Sequence, residues 1–152
     1  MKTFMQLVEE AASTITEIMP WDLEEKLESE QPPLLVDIRE PYEFDAMHIK
    51  GSINVPRGIL ETACEFNFEE TIPELARARD EEVVLLCRSG NRTVMAAAVM
   101  QQLGYSNVLS MKSGLRGWND YEQPMVDKNE QAVDIDDADD YFTTKLRPEQ
   151  EA

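Results

Sequence analysis

The run Val83-Val84-Leu85-Leu86-Cys87-Arg88-Ser89-Gly90-Asn91-Arg92-Thr93 reads as a buried strand that ends on a cysteine and opens into a short polar loop. The helix-forming run Val94 to Leu103 follows at once. A strand leading directly into a helix is the repeating unit of an α/β fold with a largely parallel sheet. Ligands in such folds sit at the carboxyl ends of strands, and Cys87 lies at one. There its sulfur faces loop N–H groups and a helix N-terminus. Both favour an anion, and therefore thiolate over thiol.

Charge is distributed to the same effect. The chain has 31 acidic and 14 basic residues, a formal net charge of -17. Yet Val83 to Trp118 contains no Asp or Glu and four basic residues, Arg88, Arg92, Lys112 and Arg116. A free cysteine titrates near pH ~8.5, and a positive setting lowers that to about 3.5–7.5. A displacement of about two units corresponds to about 2.7 kcal/mol. The alternative is that Cys87 is an inert core residue at a strand end, as most free cysteines are.

The bulk numbers exclude several classes. A chain of 152 residues suits one domain. Two cysteines make no disulfide framework and fit a reducing compartment. With one histidine beside them, no metal site is expected. No apolar run approaches the roughly 18 residues of a membrane span. Met1 to Ala12 carries Glu9 and Glu10 and lacks the apolar core of a secretory signal, so the expected address is the cytoplasm. The net charge of -17 opposes nucleic acid and anionic membrane as partners.

Along the chain, residues 1–19 read as an N-terminal helix over Phe4 to Ser13 and a short lead-in strand over Ile15 to Met19. Residues 20–124 read as the main domain. Its expected strands are Leu34 to Ile38, Ile53 to Val55, Val83 to Leu86 and Asn107 to Ser110. Its expected helices start at Pro20 and Pro41, then cover Arg57 to Cys64, Glu69 to Ala78, Val94 to Leu103 and Leu115 to Tyr121. The helix from Val94 is apolar nearly all round and is expected to be buried. Residues 125–152 hold nine acidic and three basic residues from Val126 onward and read as a solvated acidic tail, with Tyr141 and Phe142 able to pin part of it back. The other reading of this segment is an acidic dock for a basic partner.

Five pieces in this order and spacing resemble the single-domain rhodanese (thiosulfate sulfurtransferase) family, over roughly Pro20 to Pro124. They are Leu35-Val36-Asp37-Ile38-Arg39-Glu40, Tyr42-Glu43-Phe44, His48-Ile49-Lys50-Gly51-Ser52-Ile53-Asn54-Val55-Pro56, the loop Cys87 to Thr93, and Gly114-Leu115-Arg116-Gly117-Trp118. The resemblance implies a five-stranded, mostly parallel rhodanese-like sheet flanked by helices. It implies that Cys87 is the sulfur-accepting nucleophile and that backbone amides from Arg88 to Thr93 cradle a persulfide. No cofactor is expected. Ser113-Gly114 stands where many members have two glycines. Nothing carries over to the N-terminal helix or the acidic segment.

The chemistry this points to is covalent and ping-pong. Thiolate attacks the sulfane sulfur of a small anionic donor such as thiosulfate, and a thiol, cyanide or an acceptor protein takes the outer sulfur. Arg88 and Arg92 are the candidates to grip sulfonate oxygens. Ser89, Asn91 and Thr93 offer further hydrogen bonds, and Gly90 permits a tight loop. His48 raises the option of a Cys–His dyad, but its segment reads as a structural signature. Asp37 and Arg39 read as an ion pair fixing a turn. Cys64, among Glu61 and Glu65, reads as passive, with a resolving thiol as the alternative. Two rival functions stand beside the enzyme. One is a persulfide carrier or interaction module with little free turnover. The other is a cysteine-based phosphatase or arsenate reductase, whose C-x-x-x-x-x-R pattern needs arginine at position 93, where this chain has Thr93.

Overall fold

A computed structural model describes residues 1–152. Its elements in chain order are α1 (Phe4–Ala12), β1 (Thr16–Ile18), α2 (Pro20–Leu27), β2 (Leu34–Asp37), α3 (Pro41–Ala46), β3 (Ile53–Asn54), a 3-10 turn at Arg57–Ile59, α4 (Leu60–Ala63), α5 (Pro73–Ala76), β4 (Glu82–Leu86), α6 (Asn91–Gln102), β5 (Asn107–Met111), α7 (Gly114–Asp120) and α8 (Ile135–Phe142), before a last 3-10 turn at Pro148–Gln150. The strands pair in the order β1-β5-β4-β2-β3, and every pairing is parallel. No helix is long and apolar enough to cross a membrane.

Side chains alternate across a strand, so β4 sends its residues to two separate cores. Val83 and Leu85 join Val36, Leu60, Leu75, Ala96 and Met100 on one face. Val84 and Leu86 join Leu23, Leu115, Trp118, Met125 and Phe142 on the other. Cys87 continues the Val83–Leu85 side and therefore projects toward α6. The nearly all-apolar surface of α6 has a matching cause. Its Ala96, Ala97 and Met100 are buried in the core with Val83 and Leu85, while α1, with Val8 buried, packs along the helix.

Two expectations are corrected. Of the helix expected over Glu69–Ala78, only Pro73–Ala76 forms. Asn67 turns the chain at φ 77, the Thr71 hydroxyl accepts the Phe68 N–H at 3.1 Å, and Ile72 is held extended before a proline. The acidic C-terminal segment is not simply a solvated tail. The backbone of Val126 exchanges two hydrogen bonds of 2.9 Å with that of His48. Further on, α8 packs against α7 and buries Ala138 and Phe142 in the second core. Its Asp134 caps the helix by accepting from Asp136 N–H.

Candidate active site

The loop after β4 is shaped by what surrounds it. Two backbone bonds pin the strand end to the start of α7: Leu115 N–H to Cys87 O at 2.8 Å and Arg116 N–H to Arg88 O at 3.0 Å. That approach requires glycine at 114, where φ is +60 and an added Cβ would lie 2.5 Å from Arg88 O and 2.6 Å from Cys87 O. Gly90 occupies the N-cap of α6 at φ +85, and a Cβ there would meet Ser113 N at 2.9 Å and Met111 O at 3.0 Å. The loop is thus wedged against the β5–α7 turn, and its backbone is turned inward onto the sulfur.

Gly90 N–H donates to Cys87 Sγ at 3.2 Å. Thr93 Oγ1 lies 3.5 Å from the same sulfur, 3.2 Å from Gly90 O and 2.8 Å from Ser110 Oγ. Thr93 has a single hydroxyl proton, so a donated bond from Ser110 leaves that proton for the sulfur or for Gly90 O. No side chain caps α6, so the N–H groups of its first turn, from Asn91 to Thr93, have neither a capping group nor an intrahelical acceptor. Cys87 is itself fully buried, at 0 % exposure. Above it opens a cleft of about 190 Å³ lined by Phe4, Cys87, Arg88, Ser89, Asn91 and Arg92. Phe4 comes from α1, which reaches over the loop.

The two loop arginines have different surroundings. Arg92 forms a bidentate pair with Glu43, Nη1 to Oε2 and Nη2 to Oε1, both 3.0 Å. Burial alone raises the Glu43 carboxyl, but hydrogen bonds from Arg92 and the Glu40 backbone outweigh it and hold the group below its ordinary 4.5. Arg88 has no carboxylate within salt-bridge distance. Its guanidinium carbon lies 5.5 Å from the ring centre of Phe142 and 5.8 Å from that of Tyr141. Burial raises the Tyr141 phenol, Arg39 and Arg88 oppose this, Glu43 and Tyr42 add to it, and the net displacement is upward.

The remaining singled-out residues lie outside this cleft. Asp37 and Arg39 are both fully buried and joined by Arg39 Nη2 to Asp37 Oδ2 at 2.8 Å and Arg39 Nε to Asp37 Oδ1 at 3.0 Å. Arg39 Nη2 also donates to Met47 O at 2.6 Å, tying the end of β2 to the end of α3, while its Nη1 has no partner. His48 stacks on Phe44, with ring centres 3.7 Å apart, and pairs Nδ1 with Phe44 O at 2.8 Å. None of its contacts belongs to the Cys87 loop. Cys64 is buried in the first core, and burial pushes its thiol up. Sequence reasoning assigned no site role to Glu43, Ser110, Phe4 or Phe142. Glu43 sat in a quoted motif, but its partner lies 49 residues away. The other three are brought to the loop only by the folded chain.

The Rhodanese-like domain family pattern matches residues 19–121. The "Sulfurtransferase" of Allochromatium vinosum is 31% identical over 112 residues, covering 74% of this chain and 95% of that protein. The "Putative sulfur carrier protein YrkF" of Bacillus subtilis (strain 168) is 32% identical over 110 residues, covering 72% of this chain. The match takes in 54% of that protein, so the chain spans about half the length of this relative. A solved structure from Rhodopseudomonas palustris CGA009, of a protein of unknown function described as a possible tyrosine phosphatase, superposes with a TM-score of 0.70 at 28% identity, covering 82% of this chain and 94% of the other.

Proposed function

The chain belongs to the rhodanese-like domain family, and from that premise we propose that it is a sulfurtransferase in which Cys87 carries the transferred sulfur. One observation carries the reading: the N–H of Gly90 aimed at Cys87 Sγ from 3.2 Å, at the uncapped start of α6. Donors so placed face the negative charge of a transferred sulfur, and the free first-turn N–H groups offer further donors to a second sulfur bonded to Cys87.

The donor is a small anion with a sulfane sulfur, thiosulfate being the simplest. Cys87 thiolate attacks the outer sulfur, a new S–S bond forms, and the old one breaks with its electron pair leaving on sulfite. Charge balances, a monoanion and a dianion giving persulfide anion and sulfite. In the second half an acceptor nucleophile, cyanide or a thiolate, attacks the outer sulfur of the protonated persulfide. The S–S electrons return to Cys87, and the proton goes to the acceptor product or to solvent. Such a sequence is ping-pong. It needs no histidine, which fits the placement of His48 against Phe44.

A persulfide carrier with little free turnover is a second reading, favoured by the name of the Bacillus subtilis relative. A phosphatase reading follows from the Rhodopseudomonas palustris likeness. Against it, the loop has Thr93 where that chemistry needs arginine, and Arg92, one place earlier, is paired with Glu43. Steady-state sulfite release from thiosulfate with cyanide, with and without Cys87→Ser, tests the proposal. The enzyme releases sulfite and the variant does not. Stoichiometric sulfur loading without turnover would make the chain a carrier. Cys87-dependent hydrolysis of an aryl phosphate would make it a phosphatase.

A further inference from the structure

The two arginines lining the Cys87 cleft are held in opposite ways. Arg92 is paired with Glu43, which offsets its charge and takes one N–H from each terminal nitrogen. Arg88 is unpaired in a chain of net charge -17. Neither Asp139 nor Asp140 of α8 reaches it, although the next residues, Tyr141 and Phe142, do. The Arg88 guanidinium lies within cation–π distance of both rings, which attract it through the ring quadrupole and pack against it. Its N–H groups lie in its own plane and stay available to an oxyanion. A carboxylate partner would have taken two of them and offset the charge.

The rings themselves are fixed. Tyr141 and Phe142 meet edge to face, 5.2 Å between centres. Phe142 is buried in the second core, and Asn119 Nδ2 donates to Asp139 Oδ1 at 2.6 Å, locking α8 to α7. Since α7 also carries the two backbone bonds to Cys87 and Arg88, the loop and the rings rest on one element. All of α8 lies beyond residue 121, where the match to the family ends.

We propose that Tyr141 and Phe142 are positioning residues, that they hold Arg88 as the oxyanion-recognising cation of the Cys87 cleft, and that α8 is thereby part of the donor-binding site. The donor class so selected is a small dianion with terminal oxygens, such as thiosulfate. The assignment rests on the sulfur-transfer reading in taking this cleft as the place where the donor binds.

The test is calorimetric binding of thiosulfate to the full-length chain carrying Cys87→Ser, which cannot turn over. Into this background go Arg88→Gln, Tyr141→Leu and Phe142→Leu, singly and paired. Leucine keeps apolar bulk at both ring positions and removes the π face. Tyr141→Leu and Phe142→Leu should each weaken binding about two- to tenfold, and neither should weaken it further once Arg88→Gln is present. Tyr141→Phe, which keeps the ring, should bind as the parent does. Equal losses with and without Arg88→Gln, or no loss from either ring substitution, would overturn the proposal. Tyr141 is only half-buried, so its leucine variant keeps the test valid if Phe142→Leu fails to fold. Sulfite release by the unsubstituted chain is measured separately. Coupled binding without release sinks the sulfur-transfer reading alone, and release with uncoupled binding sinks this one alone.

Discussion

Gly90 is the residue on which the site geometry turns. Its left-handed φ brings its own N–H to Cys87 Sγ, and its missing Cβ leaves room for Ser113 N and Met111 O. Gly90→Ala should cost about 1–3 kcal/mol of stability, the range for a strained backbone position, and should abolish sulfite release. Urea unfolding and the sulfite assay check the two parts, and a fully active variant would contradict the geometry. Glu43 gives a pH prediction. Its carboxyl titrates lower in the folded chain than its ordinary 4.5, so it contributes stability above that pH and loses it as pH falls through the folded value. Glu43→Gln should therefore cost about 1–2 kcal/mol at neutral pH, a charged hydrogen-bond pair discounted for the partial exposure of Arg92. The deficit should shrink in unfolding measurements as pH falls from 4.5 through the lower folded value, where the parent's carboxyl becomes protonated too. The Cys87-to-Thr93 loop was legible because its chemistry is contiguous. The Arg92–Glu43 pair was not, because only folding joins residues 49 apart.

At the level of elements, the central strands were the easiest to read. β2 and β4 are buried on both faces and so appear as unbroken apolar runs. The sequence predicts too long a helix at α5 because Glu69, Glu70 and Thr71 offer no strong breaker, whereas Asn67 and the bonds of Thr71 turn the chain there and Pro73 opens the helix. α1 was legible as an amphipathic helix, but not its reach to the cleft. Phe4 is 49% exposed and lines the opening above Cys87. Phe4→Ala should leave stability within about 0.5 kcal/mol and speed alkylation of Cys87 by iodoacetamide. An unchanged alkylation rate would show that Phe4 does not limit access to the sulfur.

Across the whole molecule, the C-terminal segment is where composition misleads. Nine acidic residues after Val126 dominate its character, while the apolar residues that matter, Ala138 and Phe142, are spaced as one face of a helix. Because both sit in the second core with Leu115 and Trp118, Phe142→Ala should cost about 3–5 kcal/mol. Removal of residues 128–152 should cost at least as much by thermal or urea unfolding, and a truncated chain as stable as the parent would show that α8 is dispensable. The sheet, the first core and the helix α1 beyond the family match meet at one buried sulfur, and the proposed chemistry is decided there. The direct measurement is intact-protein and peptide mass spectrometry after brief exposure to thiosulfate, with sulfite counted in the same sample. One added sulfur atom is expected, confined to the peptide containing Cys87, matched by one sulfite and discharged by cyanide. Sulfur loaded on Cys64 instead, or sulfite released unchanged after Cys87→Ser, would contradict it.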